Sequence, residues 1–341
     1  MLTIAKTRPE PGIDLAEFPE PNIRPGTVKI RVTSGSICGT DLHIYNWDAW
    51  SSNRIKPPRI IGHEFCGEIV EVGEGVATNR IGQFVSSESH IVCGKCLQCR
   101  SGQGHVCTNT QLLGIDVDGG FGPYAVIPAD NARVTPRFVP HEVASMLDAV
   151  GNAVHTVLDG PVKDCQLLIT GMGPIGLFSV AIAKALGAAE IIVTEVRPYR
   201  KDLAKQLGAD LILDPTQDDV DAILRKRAPL GLDGALEMSG HPSAIPLAIN
   251  HVRPGGRISL LGLYPEAQQK IGMNTLIMKG IRMNGIVGRK IWETWDAMFA
   301  LLEDGLDLMP VVTHRMPFGE VHEAMNILSK GEAGKIVLDF S

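Results

Sequence analysis

The run Leu167-Leu168-Ile169-Thr170-Gly171-Met172-Gly173-Pro174-Ile175-Gly176 decides the fold. A short β-prone strand leads directly into G-x-G-x-x-G, which opens a helix running to about Gly187. Each glycine has a separate task. Gly171 permits the tight turn, Gly173 lets the backbone approach a pyrophosphate, and Gly176 allows helix and strand to pack closely, while the helix N-terminus faces the negative charge. Nineteen residues beyond Gly176 the next candidate strand ends in Glu195, where a carboxylate accepts hydrogen bonds from adenosine ribose hydroxyls. The combination reads as a dinucleotide site. Glu195 also repels a 2′-phosphate, which favours NAD over NADP. Arg197 and Arg200 pull the other way, because a guanidinium near that edge accepts phosphate; their plain reading is helix-surface charge.

Working outward, apolar strand and helix segments alternate from about residue 151, with candidate strands at 167–170, 191–195, 211–213, 234–238, 257–261 and 282–286. Six such strands predict an α/β unit, a doubly wound (Rossmann) parallel sheet covered by helices on both faces. The first third has a different texture. Its β-prone runs at 28–33, 68–72 and 125–128 are short and punctuated by Gly and Pro, as expected of an irregular β-rich domain. The tail predicts a helix at 292–303, a segment with Pro310 and Pro317, a helix near 320–329 and a strand at 335–340.

Length and composition set limits on the partners. A chain of 341 residues with 44% hydrophobic content has room for two cores. No apolar leader and no stretch of eighteen uncharged apolar residues is found, so a cytoplasmic, reducing setting is expected, in which seven cysteines persist as thiols or metal thiolates. A net charge of -6 without a basic block argues against nucleic acid and membrane surfaces and in favour of a small-molecule substrate.

Cys93, Cys96, Cys99 and Cys107 form the comb C-x2-C-x2-C-x7-C, the spacing of a closed tetrahedral thiolate cage for structural zinc. Disulfides would need an oxidising compartment. An iron–sulfur run would place its fourth cysteine after three residues and before proline, whereas here seven intervene and Thr108 follows. Gly94, Gly102 and Gly104 free backbone N–H groups to face sulfur, and Lys95 offsets negative charge.

A second constellation lies upstream, in Cys38-Gly39-Thr40-Asp41-Leu42-His43 and Gly62-His63-Glu64. One thiolate, one imidazole and one carboxylate match an open zinc site that keeps a position for substrate. Singly, each has a duller account: Cys38 as a small core residue, His63 as a satisfied core histidine, Thr40 or Asp41 as a helix cap.

On these residues the chain resembles the zinc-containing medium-chain alcohol dehydrogenases over essentially its whole length. Narrower segments make it similar to the branch that oxidises L-threonine at carbon 3. They are the run from His43 through Tyr45, Trp47 and Asp48 to Trp50, residues 151–156, 237–240 and 305–308, and Thr313-His314-Arg315.

The resemblance implies a GroES-like catalytic domain at 1–148 with its zinc lobe at 88–110, a dinucleotide domain at 149–290, and a C-terminal segment at 291–341 returning to the first. It implies two zinc ions per chain. One is caged by the lobe; the other is held by Cys38 and His63, with Glu64 as third ligand or close behind it. Asp148 would lie beside that metal, as transient ligand or proton acceptor. Thr40 and His43 would relay the substrate proton to solvent, a hydroxyl both accepting and donating and an imidazole titrating near neutrality. NAD contacts would fall at Ile175, Glu195, Arg200, Leu261, Gly262, Leu263, Tyr264, Ile286 and Val287. The implied product is 2-amino-3-oxobutanoate, and the implied assembly a homotetramer.

Glu88 and His90 are candidate contacts for the amino acid's charged groups, although solvated loop residues are the plainer account. Cys66 is an alternative thiol ligand or a packed small side chain, Cys165 is structural, and Trp47 and Trp50 line either the substrate mouth or a subunit contact. Two rivals remain: a polyol or vicinal-diol dehydrogenase sharing every metal and cofactor residue, and a nucleotide-binding sensor without turnover, which would not need Cys38, His63 and Glu64. The carboxylate at Glu195 predicts that kcat/KM with NAD exceeds that with NADP by about tenfold or more; equal values from initial rates would defeat the assignment.

Overall fold

Strand Gln166–Thr170 occupies the middle of a six-stranded sheet in the computed structural model, which describes residues 1–266 and 268–341. The strand order is Leu211–Leu213, Glu190–Thr194, Gln166–Thr170, Leu232–Glu237, Val252–Leu260, Arg282–Gly285, and every neighbouring pair is parallel. Parallel strands joined by helices are covered on both faces, so they are apolar without alternation. Accordingly all five residues of Glu190–Thr194 are buried, and Leu168, Ile192, Ala235 and Ile258 meet in one core. The order reverses direction between Gln166–Thr170 and Leu232–Glu237, the switch point at which such sheets bind ligands.

The glycine turn explains its own composition. Gly171 has φ +82°, a left-handed conformation that side chains resist, and a Cβ on Gly176 would stand 2.0 Å from the Gly171 carbonyl oxygen. A Cβ on Gly173 would meet nothing within 4 Å. Pro174 then starts helix Pro174–Ala185 at a position where no backbone N–H is missed.

The other unit is built around strand Thr27–Ser36, which pairs antiparallel with Phe65–Val72, Tyr124–Pro128 and the final strand Lys335–Asp339. Lys335–Asp339 in turn carries Val312–Pro317 in parallel on the sheet edge, where Pro317 can end the strand without costing a ladder bond. Helix Val321–Lys330 turns Val321, Ala324, Met325 and Leu328 into this core and ends at Gly331 in the left-handed conformation. A small sheet of Leu2–Lys6, Asp14–Glu17 and Arg59–Ile60 and a two-stranded one of His90–Ile91 and Gln111–Leu112, both unanticipated from the sequence, belong to the same unit.

The units divide at Ala149/Val150 and again at Val311/Val312. The C-terminal return therefore starts at Val312 and not at 291. Helix Glu293–Glu303 buries Trp295 and Met298, and the turn Met309–Val311 packs on helices Pro174–Ala185 and Pro198–Gln206, which keeps both with the dinucleotide unit. The expected irregular segment around Pro310 and Pro317 is this turn followed by the edge strand. Gly176→Ala should lower unfolding stability by about 1–3 kcal/mol through overpacking, whereas Gly173→Ala should leave it within about 0.5 kcal/mol; denaturant midpoints of the two variants check the contrast.

Candidate functional site

Around the glycine turn, Glu195 is buried and fully engaged. One carboxylate oxygen accepts from the Met172 N–H at 2.8 Å, the other from the Val196 and Arg197 N–H groups, both at 2.8 Å. It thus ties the end of its strand to the glycine loop. Arg200 is half-buried beside it with Nε unpartnered, its pKa drawn down by burial, while Arg197 is exposed. Residues 261–264 follow strand Val252–Leu260, and the Leu261 and Gly262 N–H groups donate to the Glu237 carbonyl at 2.9 and 3.0 Å. Leu263 is 92% exposed and Val287 52%, while Ile286 is buried and Ile175 half-buried.

The sequence marks residues 237–240 only as a segment of resemblance and gives Glu237 no role. Its buried Oε1 accepts from Ser239 N, Ser239 Oγ and Gly240 N at 2.7, 2.5 and 2.9 Å, which ties down the loop against which Gly262 packs. Burial, then the Glu237 charge, pushes the Tyr264 phenol upward. An acidic residue ending an apolar strand, followed by Ser-Gly, is the signal that was available.

In the first unit, Cys38 sits in extended conformation as the N-cap of helix Gly39–Asn46, and Asp41 Oδ2 reaches back to its N–H at 2.9 Å. That capping box orients Cys38, whose Sγ lies 3.9 Å from Thr40 Oγ1. His63 and Glu64 precede strand Phe65–Val72. Gly62 before them has φ +92° and lies under the Phe121 ring, where a Cβ would stand 2.1 Å from an aromatic carbon. The ligand atoms of Cys38, His63 and Glu64 all lie within 4.8 Å of one another, His63 Nε2 and Glu64 Oε1 being 3.9 Å apart. Two ligands about 2 Å from a tetrahedral ion stand about 3.3 Å apart, so a closure of about half an ångström would bring this pair onto one ion, and Glu64 Oε1 is buried without a hydrogen-bond partner. The donor set therefore fits zinc.

Electrostatics at this point are concentrated. Asp41 and Glu64 are fully buried. Burial pushes Asp41 up, with only partial relief from His63. Burial also opposes ionised Glu64, but the Lys335 ammonium and His63 prevail and hold it below the usual carboxylate range. Burial works against protonated His63, yet Cys38, Asp41 and Glu64 raise it to about 10. Asp41 Oδ1 lies 3.9 Å from His63 Nδ1, and both atoms are buried without partners. A carboxylate in that place would fix the tautomer of a ligating imidazole once the two closed to hydrogen-bond distance, a task beyond the cap assigned from sequence alone.

The remaining sequence candidates of this unit are engaged with neighbours of their own. Asp148, in the first turn of helix Leu147–Val157, accepts from the Ser89 N–H at 3.0 Å and lies outside the three-residue ligand group. Glu88 is not a solvated loop residue: it is buried, and its Oε1 accepts from the His90 N–H at 2.8 Å. Asn131 pins both backbones through the Glu88 and His90 carbonyls. Cys66 is also outside the ligand group, donating to the His141 carbonyl at 3.3 Å, with burial pushing its thiol up to about 12. His43 is exposed, and its Nδ1 pairs with Asp48 Oδ2 at 2.5 Å. Trp50 lies 6.1 Å from the His43 ring, and Trp47 packs on the core under the Lys6 ammonium.

The four lobe cysteines are all unbridged and converge within 4.8 Å. The Cys96 Sγ lies 3.4 Å from Cys99 Sγ and 3.7 Å from Cys107 Sγ, in keeping with sulfurs about 2.3 Å from a shared tetrahedral ion. Backbone N–H groups of Cys96, Cys99 and Cys93 point at the sulfurs of Cys93, Cys96 and Cys107. Such donors favour thiolate: the Cys99 N–H leads in holding Cys96 down to about 5, and burial among the other thiols pushes Cys99 up to about 12. Cys38→Ser should lower bound zinc by one ion per chain while the lobe keeps its own, as measured by metal analysis; two ions retained would contradict the open site.

Comparison with known proteins agrees with both units. The family model described as zinc-binding dehydrogenase matches residues 174–304, and that of the alcohol dehydrogenase GroES-like domain matches residues 24–137. The L-threonine 3-dehydrogenase of Pyrococcus abyssi is 47% identical over 99% of this chain and 98% of its own length, and that of Symbiobacterium thermophilum is 44% identical over 99% and 97%. Among solved structures, an alcohol dehydrogenase from Escherichia coli CFT073 complexed with NADH superposes with a TM-score of 0.92 at 29% identity, covering 100% of this chain and 99% of that one. The 2R,3R-butanediol dehydrogenase of Bacillus subtilis does so at 0.90 and 27%, covering 99% of each. The chain belongs to the L-threonine 3-dehydrogenases, within the zinc-binding dehydrogenases that carry a GroES-like alcohol dehydrogenase domain.

Proposed function

We propose that this protein oxidises L-threonine at carbon 3 with NAD, yielding L-2-amino-3-oxobutanoate, NADH and a proton. The observation that carries this reading is near-full-length identity of 44–47% to L-threonine 3-dehydrogenases in a chain whose Cys38, His63 and Glu64 ligand atoms converge. Bound by those three residues, zinc would act as a Lewis acid that makes the substrate hydroxyl more acidic. The lobe cysteines Cys93, Cys96, Cys99 and Cys107 would hold a second, structural zinc.

The chain's own groups then handle the proton. Thr40 Oγ1, beside Cys38 at the helix start, accepts it from the substrate hydroxyl, and His43, three residues further along the same helix and open to solvent, discharges it. Asp48 holds His43 Nδ1, which leaves Nε2 to take part. Asp148, whose carboxylate accepts from the Ser89 N–H, would assist as a carboxylate beside the metal. Glu195 and Arg200 would receive the adenosine ribose, with Gly171, Gly173, Ile175 and Gly176 under the pyrophosphate and Leu261 to Tyr264, Ile286 and Val287 towards the other end of the cofactor. Among the described residues no helix is long and apolar enough to cross a membrane. A cytoplasmic homotetramer is the assembly and location that this reading implies.

Two measurements test it. NAD reduction should show a kcat/KM for L-threonine at least about 100-fold above that for sorbitol or 2,3-butanediol; equal or inverted values would transfer the assignment to a polyol or vicinal diol. His43→Ala should depress kcat on the order of 100-fold and flatten its pH dependence, and unchanged kinetics would remove His43 from the relay.

A further inference from the structure

The side chain of His43 is 61% exposed, yet its ring is held from two sides. Nδ1 meets Asp48 Oδ2 at 2.5 Å, and the Trp50 ring stands 6.1 Å away. Histidine and aspartate are five residues apart, a spacing that a continuing helix would not bring face to face. Helix Gly39–Asn46 instead ends at Trp47, whose φ of +53° is left-handed. That conformation is disfavoured for a bulky side chain and collects where a local geometry has a use. Here it turns the chain back, so that the Asp48 N–H reaches the His43 carbonyl at 3.5 Å. Asp48 then divides its oxygens. Oδ1 accepts from the Ser51 N–H at 3.0 Å and caps helix Ala49–Arg54, whose far end is anchored by Arg54 on the two oxygens of Asp116 at 3.0 and 2.7 Å. The cap needs one oxygen only, and the other goes to His43.

We propose that Asp48 is a positioning residue that keeps His43 in the Nδ1–H tautomer and so leaves Nε2 bare to receive the relayed proton. Resting on the reading that His43 discharges the substrate proton, this inference says which nitrogen does so and what selects it. An ionised carboxylate only accepts hydrogen bonds. The Ser51 N–H, helped by His43, holds the Asp48 carboxyl below its usual range, so it is ionised near neutrality. Nδ1 therefore carries a hydrogen whether the ring is neutral or charged. In water an unrestrained neutral histidine prefers the opposite tautomer, with its hydrogen on Nε2, so Asp48 has an effect to exert. The Nε2–H bond forms as the proton arrives and breaks as water takes it, and between the two events Asp48 faces and stabilises the imidazolium.

The test compares wild type with Asp48→Asn in full-length protein whose histidine nitrogens are labelled for NMR, the signals of His43 being those missing in His43→Ala. Asparagine caps a helix as well as aspartate does, so the denaturant midpoint should not move. With its oxygen on Ser51, however, its amide NH2 group faces Nδ1 and donates to it. At a pH above the titration of the ring, the wild type should carry the hydrogen on Nδ1 and Asp48→Asn on Nε2. In L-threonine oxidation Asp48→Asn should lower kcat by about tenfold or more and leave KM within about twofold, and in a His43→Ala background it should change nothing further. Hydrogen on Nε2 in the wild type, an unchanged kcat in Asp48→Asn, or the same loss in both backgrounds overturns the proposal. If the wild-type tautomer is as stated but His43→Ala keeps the full kcat, the underlying reading of the relay fails instead. Should Asp48→Asn not fold, the wild-type tautomer, read without any substrate, decides alone.

Discussion

Two buried carboxylates and a buried imidazole, gathered with a half-buried thiol, form the constraint on which the first unit depends. Removing one partner of a buried ion pair leaves an uncompensated charge that costs about 3–5 kcal/mol, so Glu64 cannot be buried without a cation. The fold provides that cation from the last strand, Lys335–Asp339, which pairs with Thr27–Ser36 beside the metal group. The chain therefore has to come back. Its dinucleotide unit is an insertion, Val150–Val311, between a long first part and a thirty-residue closing part, Val312–Ser341, of the other unit.

The two candidate metal centres differ in how they are assembled, and the difference matches what each does. The lobe draws its four cysteines from fifteen consecutive residues and orients their sulfurs with its own backbone N–H groups, so a metal bound there would supply local folding energy. The open centre draws on a helix start, a strand entrance and the chain's far end, and it leaves Glu64 Oε1 without a partner. A closed cage stabilises; an incompletely satisfied donor set has room for a reacting group.

In the dinucleotide unit, buried acids serve as acceptors for loop N–H groups. Glu195 gathers the glycine turn and its own strand end, while Glu237 gathers residues 239 and 240. Both stand at the C-terminal ends of parallel strands, where free N–H groups accumulate and where such sheets bind ligands. The loops around the expected cofactor are thus fixed in advance, and the ordering entropy they would otherwise lose on binding is already spent. At the opposite side of that sheet Arg257 reaches the Thr156 and Val157 carbonyls, closing the last turn of helix Leu147–Val157.

Local chemistry was legible in the residues themselves. Gly171-Met172-Gly173-Pro174-Ile175-Gly176, the cysteine comb and the six apolar strands each act over a few neighbours, and spacing alone conveys a turn that needs a positive φ or four sulfurs that can close on one ion. The pairing of Cys38 with His63 and Glu64 was legible only as a set of ligand types. The extra duty of Asp41 behind His63, the engagement of Glu88, the grip of Glu237 on its loop and the beginning of the return at Val312 were decided by tertiary structure. So was the meeting of Lys335 with Glu64. Contacts between residues far apart in the chain depend on register and burial, and a buried charge reveals its purpose only when the folded chain shows which opposite charge it was brought to meet.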